Sequence, residues 1–216
     1  MKTTKVLQTN VSQTSIDEVS NILNKTVGNS IAICNANTLV RSARNSDIAD
    51  VINNFTIRTP DGFPVAKALS ILTKQNFPRV DGYKVFLQTI EDGLDRNRSH
   101  YFFGSDELTT ELMIKNLKKD YPQIQIRGYI CPEFMESDQL VEKYAEEIQN
   151  IDADIVWVSL GFPKQEMFIN QVNLAMDTNL NFVGIGGVFE WVAGTKKKAP
   201  ELSLIHISEP TRRTII

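Results

Sequence analysis

Short apolar runs alternate with amphipathic stretches along most of this chain. The apolar runs are continuous, which is typical of strands buried on both faces, and the stretches between them carry apolar residues at helical spacing. Strands are predicted at 31–34, 55–57, 100–103, 124–126, 154–159 and 181–185, and helices at 15–27, 39–52, 65–72, 83–90, 107–119, 139–148 and 165–176. This alternation predicts an α/β fold, a single Rossmann-like domain in which helices cover both faces of a mostly parallel sheet.

The predicted domain covers residues 1–201, because no internal repeat, low-complexity tract or Pro/Ser-rich linker divides that range. Residues 202–212 match the conceptual translation of a transposase adaptor that is used in DNA sequencing libraries. We therefore interpret residues 202–216 as a tail that is not native and exclude it from the fold prediction. A natural, weakly structured tail is the alternative interpretation.

Composition and charge exclude a few classes of protein. The 216 residues are 42% hydrophobic and carry a formal net charge of -3, so no basic footprint for nucleic acid is present. Cys34 and Cys131 lie far apart and match no metal or redox spacing, which favours free thiols in a reducing cytoplasm. The sequence shows no secretory signal and no apolar run long enough to span a membrane. We therefore expect a cytoplasmic protein without a nucleic-acid partner.

Polar residues and glycines directly follow two of the predicted strands. The strand at 154–159 is followed by Gly-Phe-Pro and a polar triplet that opens a helix, and the strand at 181–185 is followed by two glycines and an acid. Open α/β sheets bind ligands beyond the carboxyl ends of their strands, so this pattern predicts one shared cleft and indicates an enzyme. The candidate substrate-binding residues of these segments are Lys164, Gln165, Glu166, Gly186, Gly187 and Glu190.

Five sequence blocks, taken in order, resemble the WecG/TagA/CpsF family of bacterial glycosyltransferases. The resemblance runs from about residue 16 to residue 200, where Lys198 replaces the Arg of the family's Arg-Ala-Pro step. The blocks are CNANT at 34–38, TPDG at 59–62, RVDG at 79–82, YFFG at 101–104, and GFPKQE at 161–166 with GIGGVFE at 184–190.

The resemblance implies a UDP-sugar-dependent hexosyltransferase. Such an inverting enzyme moves an N-acetylmannosamine-type sugar from UDP to a polyprenyl-diphosphate-linked sugar, in teichoic acid or exopolysaccharide biosynthesis and hence cell wall biogenesis. It would lie in the cytoplasm, peripheral to the inner face of the bacterial plasma membrane, and family members can self-associate, so a homo-oligomer is compatible with it. The family usually continues into a basic, aromatic appendage that the adaptor-like tail replaces here. A truncated, inactive module that only binds UDP-sugar is therefore the alternative function.

The resemblance assigns the role of catalytic base to Asp61, and the chemistry of a diphosphate leaving group makes Arg79 the second catalytic candidate. Asp61 would take the proton of the acceptor hydroxyl, whereas an Asp-Gly turn is the structural alternative. Arg79 would stabilise the departing diphosphate with a permanently charged, bidentate group, or be a solvated Arg before a turn. Lys164 could share this work, although a solvated lysine in the first turn of a helix is the alternative.

The other candidates hold substrate or shape the backbone. Asn35 and Asn37 follow a strand, where amides can bind an acetamido or hydroxyl group or simply cap a helix. Thr38, in the same sequence block, is a further candidate substrate-binding residue. Gly104 would let phosphate approach backbone N–H groups, as would Gly186 and Gly187, although glycines that only turn the chain are the alternative.

Two side chains that open the helix at 165–176 could bind hydroxyl groups. Gln165 and Glu166 match sugar or ribose hydroxyls in hydrogen-bond type, and compensation of the helix dipole is the alternative for Glu166. Glu190 could contact the substrate, and helix capping is the alternative interpretation. The lysines at 196–198 could contact lipid headgroups or the acceptor diphosphate, or form a solvated face.

No cofactor is predicted for this chain. The sequence has no Asp-x-Asp motif and no cluster with metal-ligand spacing, so donor binding is expected to need no metal ion. A third hypothesis, an NAD-dependent oxidoreductase, would need a full glycine fingerprint in the first βα unit. The late Gly184-Ile185-Gly186 has Phe189 where the third glycine belongs, which argues against it.

Overall fold

A computed structural model describes residues 1–197 of the chain. The predicted tail at 202–216 lies outside the described residues, as does the Lys-Ala-Pro segment at 198–200 that resembles the family's Arg-Ala-Pro sequence. The strands are β1 (Thr3–Val6), β2 (Thr9–Ser12), β3 (Ser30–Cys34), β4 (Ile57–Pro60), β5 (Ser99–Gly104), β6 (Gln125–Ile130), β7 (Ile155–Ser159) and β8 (Asn181–Gly184). The helices are α1 (Ile16–Lys25), α2 (Ala36–Arg44), α3 (Ser46–Asn53), α4 (Phe63–Thr73), α5 (Gly82–Gly93), α6 (Glu107–Asp120), α7 (Ser137–Lys143), α8 (Ala145–Gln149), α9 (Lys164–Ala175) and α10 (Val188–Ala193).

Six strands form one sheet in the order β4-β3-β8-β7-β5-β6. Every pairing in this sheet is parallel, so the carboxyl ends of all six strands lie at the same edge. The strands β1 and β2 form a separate antiparallel hairpin. The predicted α/β fold with a parallel sheet is confirmed, and the sheet order brings the ends of β4, β3 and β8 side by side.

The sheet separates two hydrophobic cores, because successive side chains of a strand point to opposite faces. On β7, Ile155 and Trp157 pack into the core that α1, α5, α6 and α10 cover. Val156 and Val158 pack into the other core, which α2, α3, α4 and α9 cover. All four side chains are buried, which explains why this strand is apolar without interruption. The prediction of helices on both faces is confirmed.

Two predicted helices are divided in the structure. The helix predicted at 39–52 is α2 followed by α3, because the Asn45 side chain accepts hydrogen bonds from the N–H groups of Asp47 and Ile48 at 2.9 and 3.2 Å. A side chain that caps a new helix in this way interrupts the previous one. The helix predicted at 139–148 is divided into α7 and α8 at Tyr144.

Other elements were missed or displaced by the sequence prediction. The hairpin was not predicted because its buried positions include the polar residues Thr9 and Ser12, which hide the alternation of a half-buried strand. Helix α10 was not predicted either, since it is only six residues long. The strand predicted at 55–57 lies at Ile57–Pro60, where its end reaches the edge of the sheet that carries the cavity described next.

Candidate active site

A cavity of about 340 Å³ lies at the carboxyl ends of β3, β4 and β8. Its volume falls within the range of roughly 300–1,000 Å³ that is typical of small-molecule sites. Its position is the one where open α/β sheets bind ligands. The predicted candidates that line this cavity are Asn35, Thr38, Asp61, Arg79, Gln165, Glu166, Gly186 and Gly187. The predicted candidates outside the lining are Asn37, Gly104, Lys164 and Glu190.

Backbone hydrogen bonds hold the loops of Asp61 and Arg79 together. The Asp61 N–H donates to the carbonyl oxygen of Cys34 at 3.0 Å, which ties the residue after β4 to the end of β3. The Val80 N–H donates to the carbonyl oxygen of Pro60 at 3.1 Å, which brings the Arg79 segment back to the end of β4. The two predicted catalytic residues therefore lie on one cavity wall although α4 separates them in sequence.

The guanidinium of Arg79 forms an ion pair with Asp81, a cavity residue that was not among the predicted site residues. Asp81 also caps α5, since its Oδ1 accepts a hydrogen bond from the Lys84 N–H at 2.8 Å. The carboxylate is nearly buried, whereas the Arg79 side chain is 25% exposed. Asp81 thus orients the guanidinium toward the cavity. Its place in the RVDG block, directly before a predicted helix, was the signal that could have identified it.

The side chain of Gln165 links α9 to the turn after β8. Its Oε1 accepts a hydrogen bond from the Gly186 N–H at 3.0 Å, and its Nε2 donates to Glu166 Oε1 at 2.7 Å. The Ser159 hydroxyl donates to the carbonyl oxygen of Gly186 at 2.7 Å. Gly186 has a φ of +55°, a left-handed conformation that favours glycine. Both sides of this backbone turn are therefore fixed by side chains from the β7–α9 segment.

Glu166 places a buried carboxyl group on the cavity wall. The residue is 2% exposed, and its Oε2 has no hydrogen-bond partner among the described residues. Burial raises the pKa of Glu166 to about 7, although the hydrogen bond from Gln165 acts in the opposite direction. Buried polar atoms normally have partners, so a lone oxygen on a cavity wall is suited to accept a hydrogen bond from a ligand. This group can also change its protonation near neutral pH.

Asn35 and Thr38 form the start of α2 on the cavity wall. Asn35 caps the helix, because its Oδ1 accepts a hydrogen bond from the Thr38 N–H at 3.1 Å. This arrangement uses the amide oxygen and leaves the NH2 group as the side chain's donor. Asn37 lies two residues further along the same helix, is exposed, and does not line the cavity.

Lys164 and Gly104 occupy other surroundings. The Lys164 Nζ donates to the carbonyl oxygen of Met135 at 2.7 Å and lies 3.9 Å from the ring centroid of Phe134. Lys164 is therefore engaged outside the cavity lining, whereas Asp61 lies within it. A Cβ on Gly104 would lie 2.2 Å from the carbonyl oxygen of Ser159, so this glycine permits close contact between β5 and β7.

Glu190 lies behind the cavity wall. Its Oε1 forms an ion pair with the Lys196 Nζ at 3.2 Å, and its Oε2 would be 3.5 Å from a Cβ built on Gly187. The Oε2 atom is buried and has no hydrogen-bond partner in residues 1–197. The Glu190 carboxylate therefore lies close to Gly187, which lines the cavity. Lys198, the last residue of the predicted lysine run, lies outside the described part of the chain.

The cavity also has apolar lining residues that were not among the predicted candidates. Trp191 projects from α10, and its ring meets that of Tyr83 edge-on with 6.3 Å between centroids. Phe162 lines the cavity from the loop after β7, with the Arg41 guanidinium 5.0 Å above its ring. Val188 contributes from the first turn of α10. Planar apolar walls of this kind suit a base or the less polar face of a sugar.

The described residues contain no group of three or more His, Cys, Asp or Glu side chains that could hold a metal ion. Cys34 and Cys131 are both free thiols, and burial raises the pKa of Cys34, which makes it an inert core residue. Among the helices in residues 1–197, none combines the length and apolar character that crossing a membrane requires.

Comparison with known proteins gives consistent matches. The family model described as "Glycosyl transferase WecG/TagA/CpsF family" matches residues 4–204. The chain is 25% identical over 178 residues to the N-acetylglucosaminyldiphosphoundecaprenol N-acetyl-beta-D-mannosaminyltransferase of Bacillus subtilis (strain 168), covering 82% of this chain and 68% of that protein. It is 28% identical over 181 residues to the protein of the same name from Bacillus spizizenii, covering 82% and 67%. The Staphylococcus aureus (strain NCTC 8325 / PS 47) protein of that name is 27% identical over 154 residues, covering 70% and 58%.

Proposed function

Because the chain belongs to the glycosyl transferase WecG/TagA/CpsF family, we propose that it transfers an N-acetylmannosamine-type sugar from a UDP donor to a polyprenyl-diphosphate-linked sugar. The names of its relatives support this substrate class, since they specify N-acetylglucosaminyldiphosphoundecaprenol as acceptor and N-acetylmannosamine as the transferred sugar. The proposed reaction contributes to a cell-surface polysaccharide such as teichoic acid. The proposed location is the inner face of the plasma membrane, where the lipid-linked acceptor is anchored.

The proposed mechanism is a direct displacement that inverts the anomeric carbon. Asp61 removes the proton from the acceptor hydroxyl as its oxygen bonds to the anomeric carbon, while the bond from that carbon to the diphosphate oxygen breaks. A positioned carboxylate contributes to such a step by general base catalysis. The observation that carries this proposal is that Asp61 and Arg79 share one cavity wall at the carboxyl edge of the sheet.

Arg79 is proposed to stabilise the UDP leaving group. Its ion pair with Asp81 keeps the guanidinium in place before the donor binds, and a preoriented cation stabilises developing negative charge better than a mobile one. Because the Lys164 ammonium is engaged by Met135, the leaving-group role is assigned to Arg79 and not to Lys164.

The remaining wall residues are proposed to hold the donor. Asn35 and Glu166 have a donor and an acceptor suited to hydroxyl and acetamido groups. The Gly186 turn, which Gln165 fixes, lets a phosphate or sugar approach the backbone closely. Trp191 and its apolar neighbours would face the uracil ring. We propose that a metal ion is not needed for donor binding.

Substitution of Asp61 by Asn tests the proposed base. The assay incubates the chain with UDP-N-acetylmannosamine and N-acetylglucosaminyl-diphospho-lipid and measures UDP release. We expect turnover to fall by at least about 100-fold, because general base catalysis typically contributes about 10²–10⁴-fold. The melting-temperature shift that UDP causes should persist, since the donor contacts are retained. Asp177→Asn, in the exposed loop before β8 at the opposite edge of the sheet, is the matched control.

Three results would separate the hypotheses. Near-normal turnover of the Asp61→Asn protein would exclude Asp61 as the base. A wild-type chain that binds UDP without any transfer would favour the alternative, a module that only binds UDP-sugar. A melting temperature that responds to NAD and not to UDP would refute the proposed donor altogether.

A further inference from the structure

The segment from residue 62 to residue 80 is basic in an otherwise acidic chain. It contains Lys67, Lys74 and Arg79 and has no Asp or Glu. The whole chain has 23 Lys plus Arg and 26 Asp plus Glu, so acidic residues outnumber basic ones by six outside this segment. Arg79 is paired with Asp81, so Lys67 and Lys74 give α4 and the loop after it their positive charge.

Helix α4 also exposes large apolar side chains. Phe63, Ile71 and Leu72 are 58%, 65% and 57% exposed. Phe63 and Ile71 lie two steps of four residues apart, with Lys67 between them, so the three share one face of the helix. A surface helix normally turns polar residues outward, and exposed apolar patches that polar residues surround mark interaction sites. The outer face of α4 is therefore suited to a partner that is apolar inside and anionic at its surface.

Both ends of this basic segment reach the candidate active site. Asp61 and Gly62 line the cavity at the start of α4, and Arg79 lines it after the chain has returned. The hydrogen bond from the Val80 N–H to the Pro60 carbonyl oxygen brings the end of this segment back to the end of β4. A partner that covers the outer face of α4 would thus lie next to segments that line the cavity.

We propose that the outer face of α4, defined by Phe63, Lys67, Ile71 and Leu72, docks on an anionic lipid bilayer. The inference rests on the proposed function, because it supplies the surface by which the enzyme would reach a lipid-linked acceptor. The apolar side chains enter the boundary between headgroups and acyl chains, and Lys67 and Lys74 contact anionic headgroups.

The charge of this face selects a bilayer over a second copy of the chain. A symmetric self-contact through α4 would place the Lys67 side chains of two copies against each other, with no acid in the segment to compensate them. An anionic bilayer instead neutralises Lys67 and Lys74 while it buries the apolar residues between them. Charge complementarity and apolar exposure therefore point to the same partner.

Vesicle sedimentation tests the proposal on the full chain. The vesicles consist of equal parts phosphatidylglycerol and phosphatidylcholine, or of phosphatidylcholine alone. We expect wild type to sediment with the anionic vesicles, and the double variant Ile71→Ser/Leu72→Ser to lose roughly tenfold or more in partitioning, since removing two buried aliphatic side chains exceeds the equivalent of one factor of ten. Lys67→Gln/Lys74→Gln should weaken binding to the anionic vesicles selectively.

The control is a second pair of exposed leucines on other helices. Leu108 on α6 and Leu174 on α9 are 66% and 76% exposed, so Leu108→Ser/Leu174→Ser removes a similar apolar surface elsewhere. This variant should bind vesicles as wild type does. Melting temperatures with and without UDP verify that every variant is folded.

Several outcomes would overturn the docking surface. Wild type that binds neither vesicle, or an Ile71/Leu72 variant that binds as wild type does, would overturn it. Loss of an oligomer in sedimentation velocity with vesicle binding unchanged would show that α4 contacts another copy instead. UDP release with a water-soluble, short-chain acceptor should be equal in wild type and the α4 variant. Absence of that transfer in wild type would refute the proposed function, while the vesicle result would still decide the docking surface.

Discussion

Replacement of Glu166 by Gln tests the electrostatics of the candidate site while keeping a side chain of the same size in it. In the wild type, burial raises the pKa of this carboxyl from its usual 4.5 to about 7. The Gln side chain still offers an oxygen to Gln165 Nε2 and does not titrate. The substitution should therefore remove one pH-dependent contribution to stability and leave the other titrating groups unchanged.

The sign and size of this contribution follow from linkage. Below about pH 4.5, Glu166 is protonated in both the folded and the unfolded chain and adds no pH dependence. Between about pH 4.5 and pH 7, the unfolded chain releases a proton that the folded chain retains, so the free energy of unfolding falls as the pH rises. Above about pH 7 the loss is complete. At about 1.4 kcal/mol per pH unit, it amounts to about 3 kcal/mol.

The assay is urea unfolding of both proteins at pH 5 and pH 8. We expect the wild type to lose about 2–3 kcal/mol more than the Glu166→Gln variant between these two values. Other groups, such as His100, whose pKa burial lowers to about 4, titrate equally in both proteins and cancel in the comparison. Parallel pH dependence in the two proteins would refute the assignment of a buried, ionisable carboxyl to this cavity.

Three further substitutions probe how the site is held together. Asp81→Asn keeps the cap on α5 but removes the charge that orients Arg79. The UDP affinity measured by calorimetry should therefore fall about tenfold, with little change in melting temperature. An affinity equal to that of the wild type would contradict the orienting role. Gly104→Ala should destabilise the domain by several kcal/mol in urea unfolding, because its Cβ would overlap the Ser159 carbonyl group, and a loss below about 1 kcal/mol would contradict this packing. Gly186→Ala meets no atom within 4 Å and should cost only about 1–2 kcal/mol, the penalty of a left-handed φ, so a loss as large as that of Gly104→Ala would show that the turn is more tightly enclosed.

The sequence predicted the fold class well because its strongest signal is continuous burial. Strands such as β7 are apolar on both faces, and short apolar runs that alternate with amphipathic helices are typical of a parallel sheet covered on both sides. The strand order was not predictable, and it decides which strand ends meet. Gly104 ends β5, which lies beside β7 and two strands away from β8, and it is not among the residues that line the cavity.

Helix rotation explains the remaining differences at the site. Successive residues of an α-helix are turned by about 100°, so the three polar residues that open α9 cannot all face one cavity. Gln165 and Glu166 face it, and Lys164 turns toward Met135. The residue at which the helix starts and the rotation of the helix determine which of these side chains face the cavity. A run of polar residues in the sequence does not reveal this rotation.

The same geometry applies to the start of α2. Asn35 and Thr38 are three residues apart and lie on one side of the helix, whereas Asn37 is turned away from Asn35 by about 200°. The catalytic and binding roles of the candidate site residues stay predictions. The metal-free donor site and the domain boundary at residue 201 also stay predictions. The turnover assay of the Asp61→Asn protein tests the catalytic role directly.

The cavity wall is assembled from segments that stretch from Ile33 to Trp191 along the chain. No fragment that lacks β3, β4 or β8 can therefore form it, and its appearance during refolding should follow the pairing of these three strands. A nucleotide that occupies the cavity would contact residues next to β3, the first strand of this sheet along the chain, and residues next to β8, the last one. It would therefore stabilise the pairing of strands that are synthesised far apart in time. Amide hydrogen exchange in β3, β4 and β8 should then slow together when UDP is added.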